Sequence, residues 1–442
     1  MKRNKILILG AGLVAKPCVR YLLNIQDFKI GLADADYQKA MHIIGDSSNG
    51  KAYKIDASDV VELKKIISEY DIIVSLLPWT FHPIIAEISL KLNKHMFTAS
   101  YASEALKKFD KEAKSKELLF MNELGLDPGL DHLSTMKIKK EVENKGGKII
   151  SYKSFCGGLP HPKHNNNPFG YKFSWSPKGV LLASKNSARF YKEGVETFID
   201  SKDLFSNFEL DYVEDLGVYE VYPNRDSTPY KNLYGLNDAK TLIRGTYRNL
   251  GWCSTINKMK ELGLLDDDVK VFPDSFTYRD LMKYLLKVDR DDNLIENLAD
   301  RLGVPKNSEI IGRLMWLGLL DDVKVPNYNN CLDIICDLMT KKLKYESDET
   351  DMALMKHEFI IEYSDGKKER RISALINYGI IGGETAMART VSLPLAIGIK
   401  LFAEGKAEDV GVQIPLAEKW FKPILEELEQ YDIKFEEKSI LL

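Results

Sequence analysis

The chain has 442 residues, of which 44% are hydrophobic and 29% charged, and its formal net charge is −3 at pH 7. This length predicts two or three domains, and the nearly balanced charge argues against a nucleic-acid-binding protein. No apolar run approaches the roughly 20 residues that span a bilayer, and residues 1–4 lead directly into a predicted strand, which leaves no room for a signal peptide. We therefore expect a cytoplasmic protein with neither a membrane nor a nucleic-acid partner.

Cysteine and histidine positions argue against disulfides and metal sites. The cysteines are scattered, odd in number and without a C-x-x-C pair, which is typical of a reduced protein. His161 and His164 lie three residues apart in a Pro-broken loop, with no nearby acid or cysteine pair. We therefore expect no bound metal.

A glycine-rich turn follows the first predicted strand. Residues 6–9 read as a buried parallel strand and residues 13–23 as a helix, with a G-x-G-x-x-A pattern between them. In this context the pattern predicts a dinucleotide site, because the glycines allow a tight turn and close approach of a pyrophosphate to the helix N-terminus. The alternative is a glycine turn without a ligand. The predicted phosphate-binding residues are Gly10, Gly12, Leu13, Val14 and Ala15.

An acidic residue ends the second predicted strand. Asp34 follows Gly12 by 22 residues, where this motif places a carboxylate on the ribose hydroxyls. Such a carboxylate would repel a 2′-phosphate, and its neighbours Ala33 and Ala35 are not arginines. The sequence therefore predicts NAD as the favoured cofactor, with NADP as the alternative.

Strands and helices alternate through the first 121 residues, which predicts an open parallel sheet. Predicted strands cover residues 29–33, 51–56, 71–77, 95–100 and 117–121, and helices cover residues 37–44, 58–70 and 82–93. Because ligands bind outside the carboxyl ends of such strands, residues 77–78, 98–101 and 122–131 should line one crevice. Asp56 could contact the adenine end of the nucleotide or cap the next helix. Further predicted cofactor residues are Gln38, Asp56, Leu77, Pro78, Thr98 and Ala99.

The loop GLDPGLDH at residues 125–132 lies where a ligand of the sheet would bind. Asp127 precedes a proline, which holds its backbone extended, and we favour it as a site residue. Asp131 could have the same role or could cap a predicted helix at residues 132–143.

Further loops are dense in Gly, Pro and aromatic residues, as binding loops often are. They read FCGGLPHP at 155–162, NPFGYKFSWSPKGVLLASKNSARFYKEG at 167–194, YPNRDSTPY at 222–230 and IRGTYRNLGW at 243–252. With GLDPGLDH, they make the chain closely resemble the L-glutamate-forming saccharopine dehydrogenases, also called saccharopine reductases, essentially end to end. The resemblance implies NAD(P)-dependent oxidation of saccharopine, with water, to L-glutamate and L-2-aminoadipate 6-semialdehyde. The resemblance places the reaction in lysine metabolism, and the sequence does not encode its direction, lysine making or breaking.

The resemblance also implies site residues. Tyr101, Asp127 and Cys156 fall on the ionisable groups that the family keeps near the reacting C–N bond. Arginine forks suit the three carboxylates of saccharopine, and Arg244 is a further candidate in the same stretch. The alternatives are surface arginines and, for Cys156, a small buried hydrophobe. The substrate-binding positions fall on Ser100, Tyr101, Asp127, Arg225, Thr246, Tyr247 and Arg248.

The cofactor residues depart from part of the family. Many NADP-using members, the fungal ones especially, have an arginine at the end of the second strand, whereas Ala33-Asp34-Ala35 resembles the NAD-using members.

Residues 251–345 have apolar residues at helical spacing, which predicts helices at 254–262, 278–286, 292–302, 308–317 and 331–342. A predicted hairpin at 357–378 is followed by helices at 384–403 and 416–431 and a strand at 433–436.

We expect an α/β fold with three parts, as the resemblance implies. An N-terminal Rossmann-type parallel sheet occupies residues 1–127 and is completed by 395–442. A second α/β (α+β) domain for substrate binding and dimerisation takes residues 128–250 and 346–394, and an all-helical domain, residues 251–345, is inserted in it. The resemblance implies a homodimer.

Two rival functions remain. A related C–N oxidoreductase, such as a carboxynorspermidine-type reductase, would share the cofactor domain, and a non-catalytic NAD-binding protein would share the glycine turn. Arg225, Thr246 and Arg248 favour a substrate with carboxylates at both ends, and the intact substrate loops favour an enzyme.

Overall fold

The structure is a computed structural model that describes residues 4–289 and 293–442. The chain divides into two compact units, Met1–Ile149 with Met355–Leu442 and Ile150–Leu354. The residue division into three domains stays a prediction.

Residues 4–149 alternate between strands and helices. The elements are β1 (Lys5–Leu9), α1 (Ala15–Leu23), β2 (Lys29–Asp34), α2 (Tyr37–Ile44), β3 (Gly50–Lys54), α3 (Val60–Ser68), β4 (Ile72–Ser75), α4 (His82–Lys91), β5 (His95–Phe97), α5 (Glu104–Lys107), α6 (Asp110–Ser115), β6 (Leu119–Met121) and α7 (Leu130–Asn144).

The rest of the chain begins with strands, continues with helices and ends with a mixture of both. Its elements are β7 (Gly147–Pro160), α8 (Pro177–Leu182), β8 (Ala188–Lys192), β9 (Val195–Ile199), β10 (Glu209–Val213), β11 (Gly217–Pro223), α9 (Pro229–Leu233), β12 (Thr241–Arg248), α10 (Trp252–Glu261), α11 (Tyr278–Leu286), α12 (Leu294–Leu302), α13 (Glu309–Leu317), α14 (Cys331–Lys342), β13 (Asp351–Tyr363), β14 (Lys368–Tyr378), α15 (Ala386–Ala403), β15 (Gly411–Gln413), α16 (Glu418–Leu428) and β16 (Glu436–Leu441).

The first unit contains a parallel sheet with the strand order β15-β6-β5-β4-β1-β2-β3. The interior strand β1 is buried from Ile6 to Leu9, which explains its unbroken apolar sequence. The predicted Rossmann-type sheet is therefore confirmed. Its carboxyl edge, where β2, β4, β5 and β6 end, carries the loops described below.

The second unit has a mixed sheet that includes β10, β11, β12 and β7 in that order. β12 is parallel to β7 and antiparallel to β11, and β8 joins β12 to β9. Helices α10–α14 belong to the same unit, so the predicted helical region is confirmed. The predicted helix 292–302 begins at Leu294 in the structure, and Asp292 lies outside the described residues.

The helix α15 packs against α1 in the first unit, where Ser392 Oγ accepts a hydrogen bond from the Cys18 N–H at 3.1 Å. Among the described residues it is the one helix long and apolar enough to cross a bilayer, and 83% of it is buried inside the protein, as in a core helix. The sequence predicted this helix at residues 384–403.

The predicted strand at 433–436 is wrong in position. The observed strand β16 covers Glu436–Leu441 and pairs with β14. Every residue of β16 is exposed at the sheet edge, so no buried face imposes an apolar alternation that a sequence pattern could reveal.

Candidate functional site

The glycine turn after β1 has the shape that a pyrophosphate requires. Gly10 has φ +104°, and a Cβ there would lie 2.9 Å from the Leu76 carbonyl oxygen. A Cβ on Gly12 would meet no atom of the described residues within 4 Å, so this peptide faces open space. Val14, at the start of α1, forms no side-chain cap with the described residues, but within the first turn the Ala15 N–H donates to the Gly12 carbonyl and the Cys18 N–H donates to Ser392 Oγ, both at 3.1 Å. These residues fit a dinucleotide.

Asp34 ends β2 and has its carboxylate turned toward the backbone. Its Oδ2 accepts the Ala11 N–H at 2.7 Å, and its Oδ1 accepts the Asp36 N–H at 2.8 Å. Two peptide dipoles therefore offset part of the negative charge. Asp34 braces the glycine turn from the end of the neighbouring strand.

A shallow cavity of about 850 Å³ lies between the ends of β2 and β3. Its lining contains the predicted cofactor residue Gln38 and an exposed lysine, Lys54. The full lining is Ala35, Asp36, Tyr37, Gln38, Ala52, Tyr53 and Lys54.

Asp56 is not the helix cap that the sequence left open, because Asp59 caps α3. Asp56 instead accepts hydrogen bonds from the Ser58 N–H and hydroxyl at 2.8 and 2.7 Å. These two bonds lower the pKa of the Asp56 carboxyl.

The carboxyl ends of β5 and β6 bring two predicted catalytic residues together. The Tyr101 hydroxyl donates to the Asp127 carboxylate at 3.0 Å. The two segments are also joined through backbone, since the Glu123 N–H donates to the Ser100 carbonyl at 3.0 Å. The peptide bond that follows Asp127 is cis. The first unit therefore presents a half-buried phenol–carboxylate pair at the edge where ligands of such sheets bind.

Asp131 is not the N-cap of α7, because that helix begins at Leu130 and Gly129 precedes it. The Asp131 carboxylate instead accepts the Gly129 N–H at 2.6 Å from within the first helical turn.

A buried histidine that the sequence analysis did not predict as a site residue lies beside the pair of Tyr101 and Asp127. His82 Nδ1 is 2.8 Å from Ser75 Oγ, and His82 Nε2 is 2.9 Å from Ser100 Oγ. Thr98 Oγ1 lies 3.4 Å from the same nitrogen. Burial lowers the pKa of His82 to about 4, so the ring is neutral near pH 7. The signal available in the sequence was a histidine that follows the end of a parallel strand.

His82 predicts a pH dependence of stability. Since the pKa of His82 falls from 6.5 to about 4 on folding, its ring is protonated in the unfolded chain but not in the folded chain between these pH values. The free energy of unfolding therefore carries no penalty from His82 above pH 6.5, and it declines as the pH falls from 6.5 toward 4. We expect the wild type to lose about 2–3 kcal/mol more than His82→Gln between about pH 7.5 and about pH 4.5. Urea titrations of both proteins measure this difference, and equal losses would contradict the neutral buried ring.

In the second unit, one face of the sheet carries predicted catalytic and substrate-binding residues. Cys156 on β7 and Thr246 on β12 are register partners, so their side chains share a face. Tyr222 on β11 pairs with Thr246 and shares that face as well. The hydroxyl of Thr246 accepts the Asn224 side-chain amide at 2.9 Å.

Arg248 is buried on this side of the sheet, with 3% of its surface exposed. Its guanidinium carbon lies 5.0 Å from the ring centroid of Tyr171 and 5.5 Å from that of Trp252. One Nη donates to the Tyr247 carbonyl at 2.8 Å, while Nε is buried without a hydrogen-bond partner among the residues that the structure describes. Among the described carboxylates none forms an ion pair with Arg248. A buried cation in this condition is suited to an anionic ligand.

The other predicted substrate residues of this unit lie elsewhere. The Tyr247 ring packs against Phe155 on the opposite face, with centroids 5.8 Å apart, and its hydroxyl donates to Asp211. Arg225 is exposed after β11, and Arg244 is buried 4.0 Å from the Tyr230 ring centroid. In this unit Cys156 and Arg248 therefore lie on one face of the sheet, and the Tyr247 side chain lies on the opposite face.

Within the part of the chain that the structure describes, no group of three or more His, Cys, Asp and Glu side chains could hold a metal ion. None of the cysteines there forms a disulfide.

Comparisons with known proteins cover the whole chain. Residues 6–121 match the saccharopine dehydrogenase NADP binding domain, and residues 125–433 match the saccharopine dehydrogenase C-terminal domain. The chain is 36% identical over 445 residues to the Saccharomyces cerevisiae saccharopine dehydrogenase (NADP+, L-glutamate-forming), with 99% of each chain covered. It is 34% identical to the Pyricularia oryzae protein of the same name, with 100% of each covered.

Two further comparisons extend this result. The chain is 34% identical to the mitochondrial alpha-aminoadipic semialdehyde synthase of Rattus norvegicus, where 99% of this chain matches 48% of that protein. The solved structure of apo L-Glu-forming saccharopine dehydrogenase from Saccharomyces cerevisiae superposes with a TM-score of 0.90 at 35% identity, covering 99% of this chain and 100% of that one.

The predicted preference for NAD is wrong. The family domain that matches residues 6–121 is an NADP binding domain, and the fungal relatives are named as NADP+ enzymes. The prediction assumed that the Asp34 carboxylate faces the ribose and repels a 2′-phosphate. In the structure that carboxylate accepts two backbone N–H groups and braces the glycine turn.

Replacing Asp34 with Ala should therefore weaken dinucleotide binding as a whole. The variant loses two charge-assisted hydrogen bonds, and we expect the Kd values of NADP and NAD both to rise about 10-fold or more. Isothermal titration with each dinucleotide measures this. Asp59→Ala, which removes the cap of α3, is the matched control and should leave both Kd values unchanged. Tighter NADP binding by Asp34→Ala would contradict the bracing role.

Proposed function

Because the chain belongs to the family of L-glutamate-forming saccharopine dehydrogenases, we propose that it oxidises saccharopine with NADP and water. The products are L-glutamate, L-2-aminoadipate 6-semialdehyde, NADPH and a proton. The observation that carries the proposal is the buried guanidinium of Arg248, which has no carboxylate partner among the described residues.

Arg248 supports a substrate that carries carboxylates. Removing a guanidinium from water costs several kcal/mol unless an anion compensates it, and nearby aromatic rings offset only part of that cost. Saccharopine has three carboxylates, and one of them would accept the Nε–H, which has no partner within the described part of the chain. Arg225, which is exposed, is proposed for a second carboxylate.

Several observations support NADP as the cofactor. The two fungal relatives described above are named as NADP+ enzymes, and the glycine turn leaves open space at Gly12 for the pyrophosphate. Lys54, which is exposed in the cavity beyond Asp34, is a cation that could accompany a 2′-phosphate.

The chemistry that we propose for the side chains is proton transfer. A bound nicotinamide would supply the acceptor for the hydride that leaves the carbon beside the secondary amine. That amine must first be neutral, and the hydrogen-bonded pair of Tyr101 and Asp127 would take its proton. Water then attacks the carbon of the resulting imine, and collapse of the carbinolamine breaks the C–N bond. Cys156 is proposed as a further proton-transfer group, since it lies near the buried guanidinium.

The test is the absorbance of the reduced nicotinamide with purified protein, saccharopine and either NADP or NAD. We expect this absorbance to increase when saccharopine and NADP are both present. Tight dinucleotide binding with no turnover of saccharopine would reject the proposal, and turnover of carboxynorspermidine would then identify the rival reductase. A homodimer, a cytoplasmic location and the lack of a membrane partner stay predictions.

A further inference from the structure

A buried histidine on α7 joins two carboxylates beside the predicted catalytic pair. We propose that His132 is a positioning residue, which sets the separation of Tyr101 and Asp127 by linking two carboxylates, one fastened to each of their chain segments. The inference rests on the proposed function, because it assigns a purpose to that pair. It concerns how the pair is held and adds no group to the chemistry.

His132 is fully buried and contacts a carboxylate on each side of its ring. Its Nε2 lies 2.8 Å from Glu123 Oε2, and its Nδ1 lies 3.6 Å from Asp131 Oδ2. Both acids are buried as well, at 6% and 0% exposure. Buried carboxylates are retained where they are paired, so the three side chains form one unit.

Each carboxylate also accepts a hydrogen bond from the backbone close to one member of the predicted catalytic pair. Glu123 Oε1 accepts the N–H of Ala102, the residue after Tyr101, at 3.0 Å. Asp131 Oδ1 accepts the N–H of Gly129, two residues after Asp127, at 2.6 Å. The imidazole therefore connects the backbone that carries the phenol to the backbone that carries the partner carboxylate.

The backbone of Glu123 is consistent with a functional constraint. Its φ is +57°, in the left-handed region that a residue with a Cβ adopts rarely and at a cost. Its N–H donates to the Ser100 carbonyl at 3.0 Å, which directs the carboxylate toward the loop after β5. Such conformations persist where the surroundings hold them, and they concentrate at functional sites.

The geometry makes the pair sensitive to this link. The bond from Tyr101 to Asp127 is 3.0 Å long, and a displacement of about 1 Å would take it beyond hydrogen-bonding distance. Misplacement of that size costs on the order of 100-fold in rate when the affected groups act on the reacting bond. Loss of the link should therefore reduce kcat more than it changes substrate or cofactor affinity.

The link has two arms, which are the contact of His132 Nε2 with Glu123 and the contact of His132 Nδ1 with Asp131. Two variants separate these arms. His132→Asn can retain a contact near the Nδ1 position but releases Glu123, whereas His132→Gln can reach the Nε2 position and retain Glu123. We expect His132→Asn to lower kcat about 10- to 100-fold. We expect His132→Gln to recover part of the loss, with the KM of saccharopine and the Kd of NADP within about threefold of wild type in both.

His357 offers a matched control, because it is a fully buried histidine that contacts the same helix. Its Nε2 lies 2.8 Å from Ser134 Oγ, and it has no part in the proposed site. His357→Gln should leave kcat unchanged even where stability falls. Equal losses of kcat in His357→Gln and His132→Asn would mean a general structural effect and would overturn the proposal.

A crystal structure of His132→Asn provides a readout that does not depend on the reaction. We expect the Tyr101 Oη to Asp127 carboxylate distance to exceed 3.5 Å, and an unchanged bond would overturn the inference. If His132→Asn fails to fold, Glu123→Gln weakens the same arm more gently and is measured in the same way. Failure of the wild type to oxidise saccharopine would reject the proposed function, while the distance in the variant would still decide the positioning role.

Discussion

Replacing Asp127 with Asn should lower kcat for saccharopine oxidation by about 10²- to 10⁴-fold while the Kd of NADP stays within about twofold. The amide is isosteric with the carboxylate and can still accept the Tyr101 hydroxyl, but it cannot take a proton from the substrate amine. Steady-state kinetics with saccharopine and titration with NADP measure the two quantities.

Asp365→Asn is the control for Asp127→Asn, because Asp365 lies in the exposed hairpin turn between β13 and β14 and pairs with Lys367. It should leave both quantities unchanged. A collapse of NADP affinity in Asp127→Asn with turnover preserved would show that Asp127 contacts the cofactor, against its assignment to the pair with Tyr101.

Replacing Arg248 with Met should raise the KM of saccharopine about 100-fold, since each hydrogen bond from a guanidinium to a carboxylate contributes about 1.5–3 kcal/mol. The same variant should keep or increase its thermal stability. Methionine preserves the packing against Tyr171 and Trp252 and removes a buried charge that has no carboxylate partner among the described residues. Steady-state kinetics measure the KM, and thermal unfolding measures the stability.

Arg313→Met is the matched control, because Arg313 is also a buried arginine of the second unit but its guanidinium is used within the protein. It donates to the Pro168 carbonyl and the Thr255 hydroxyl and pairs with Glu309. This variant should lower Tm by about 5 °C or more and leave the KM of saccharopine unchanged. A large loss of stability in Arg248→Met with a normal KM would assign Arg248 to the core instead.

The sequence alone predicted those elements whose signals are local. Helices at 37–44 and 331–342 were predicted with the bounds that α2 and α14 have, because each begins after a capping residue and keeps an apolar stripe. The glycine turn and its strand were predictable for the same reason. A tight turn needs glycine at its positive φ, and a strand buried on both faces needs an unbroken apolar run.

The directions of polar side chains were decided by tertiary structure. Asp34 was predicted correctly as the acid at the end of β2, yet its carboxylate turns to the Ala11 N–H, which is 23 residues away in the chain. Tyr247 belongs to a motif of the resemblance, but strand alternation directs its ring to the face opposite Thr246. Periodicity specifies which residues lie inside and leaves open which partner each one meets.

The sequence by itself determined the α/β class, the dinucleotide turn and the family, because these depend on residue types at short spacing. Tertiary structure alone decided the links of His82 to Ser100 and of His132 to Glu123. Both join residues from different elements at the carboxyl edge of one sheet, where chain segments meet only after the strands have paired. A buried polar contact depends on that meeting, and no pattern along the chain encodes it.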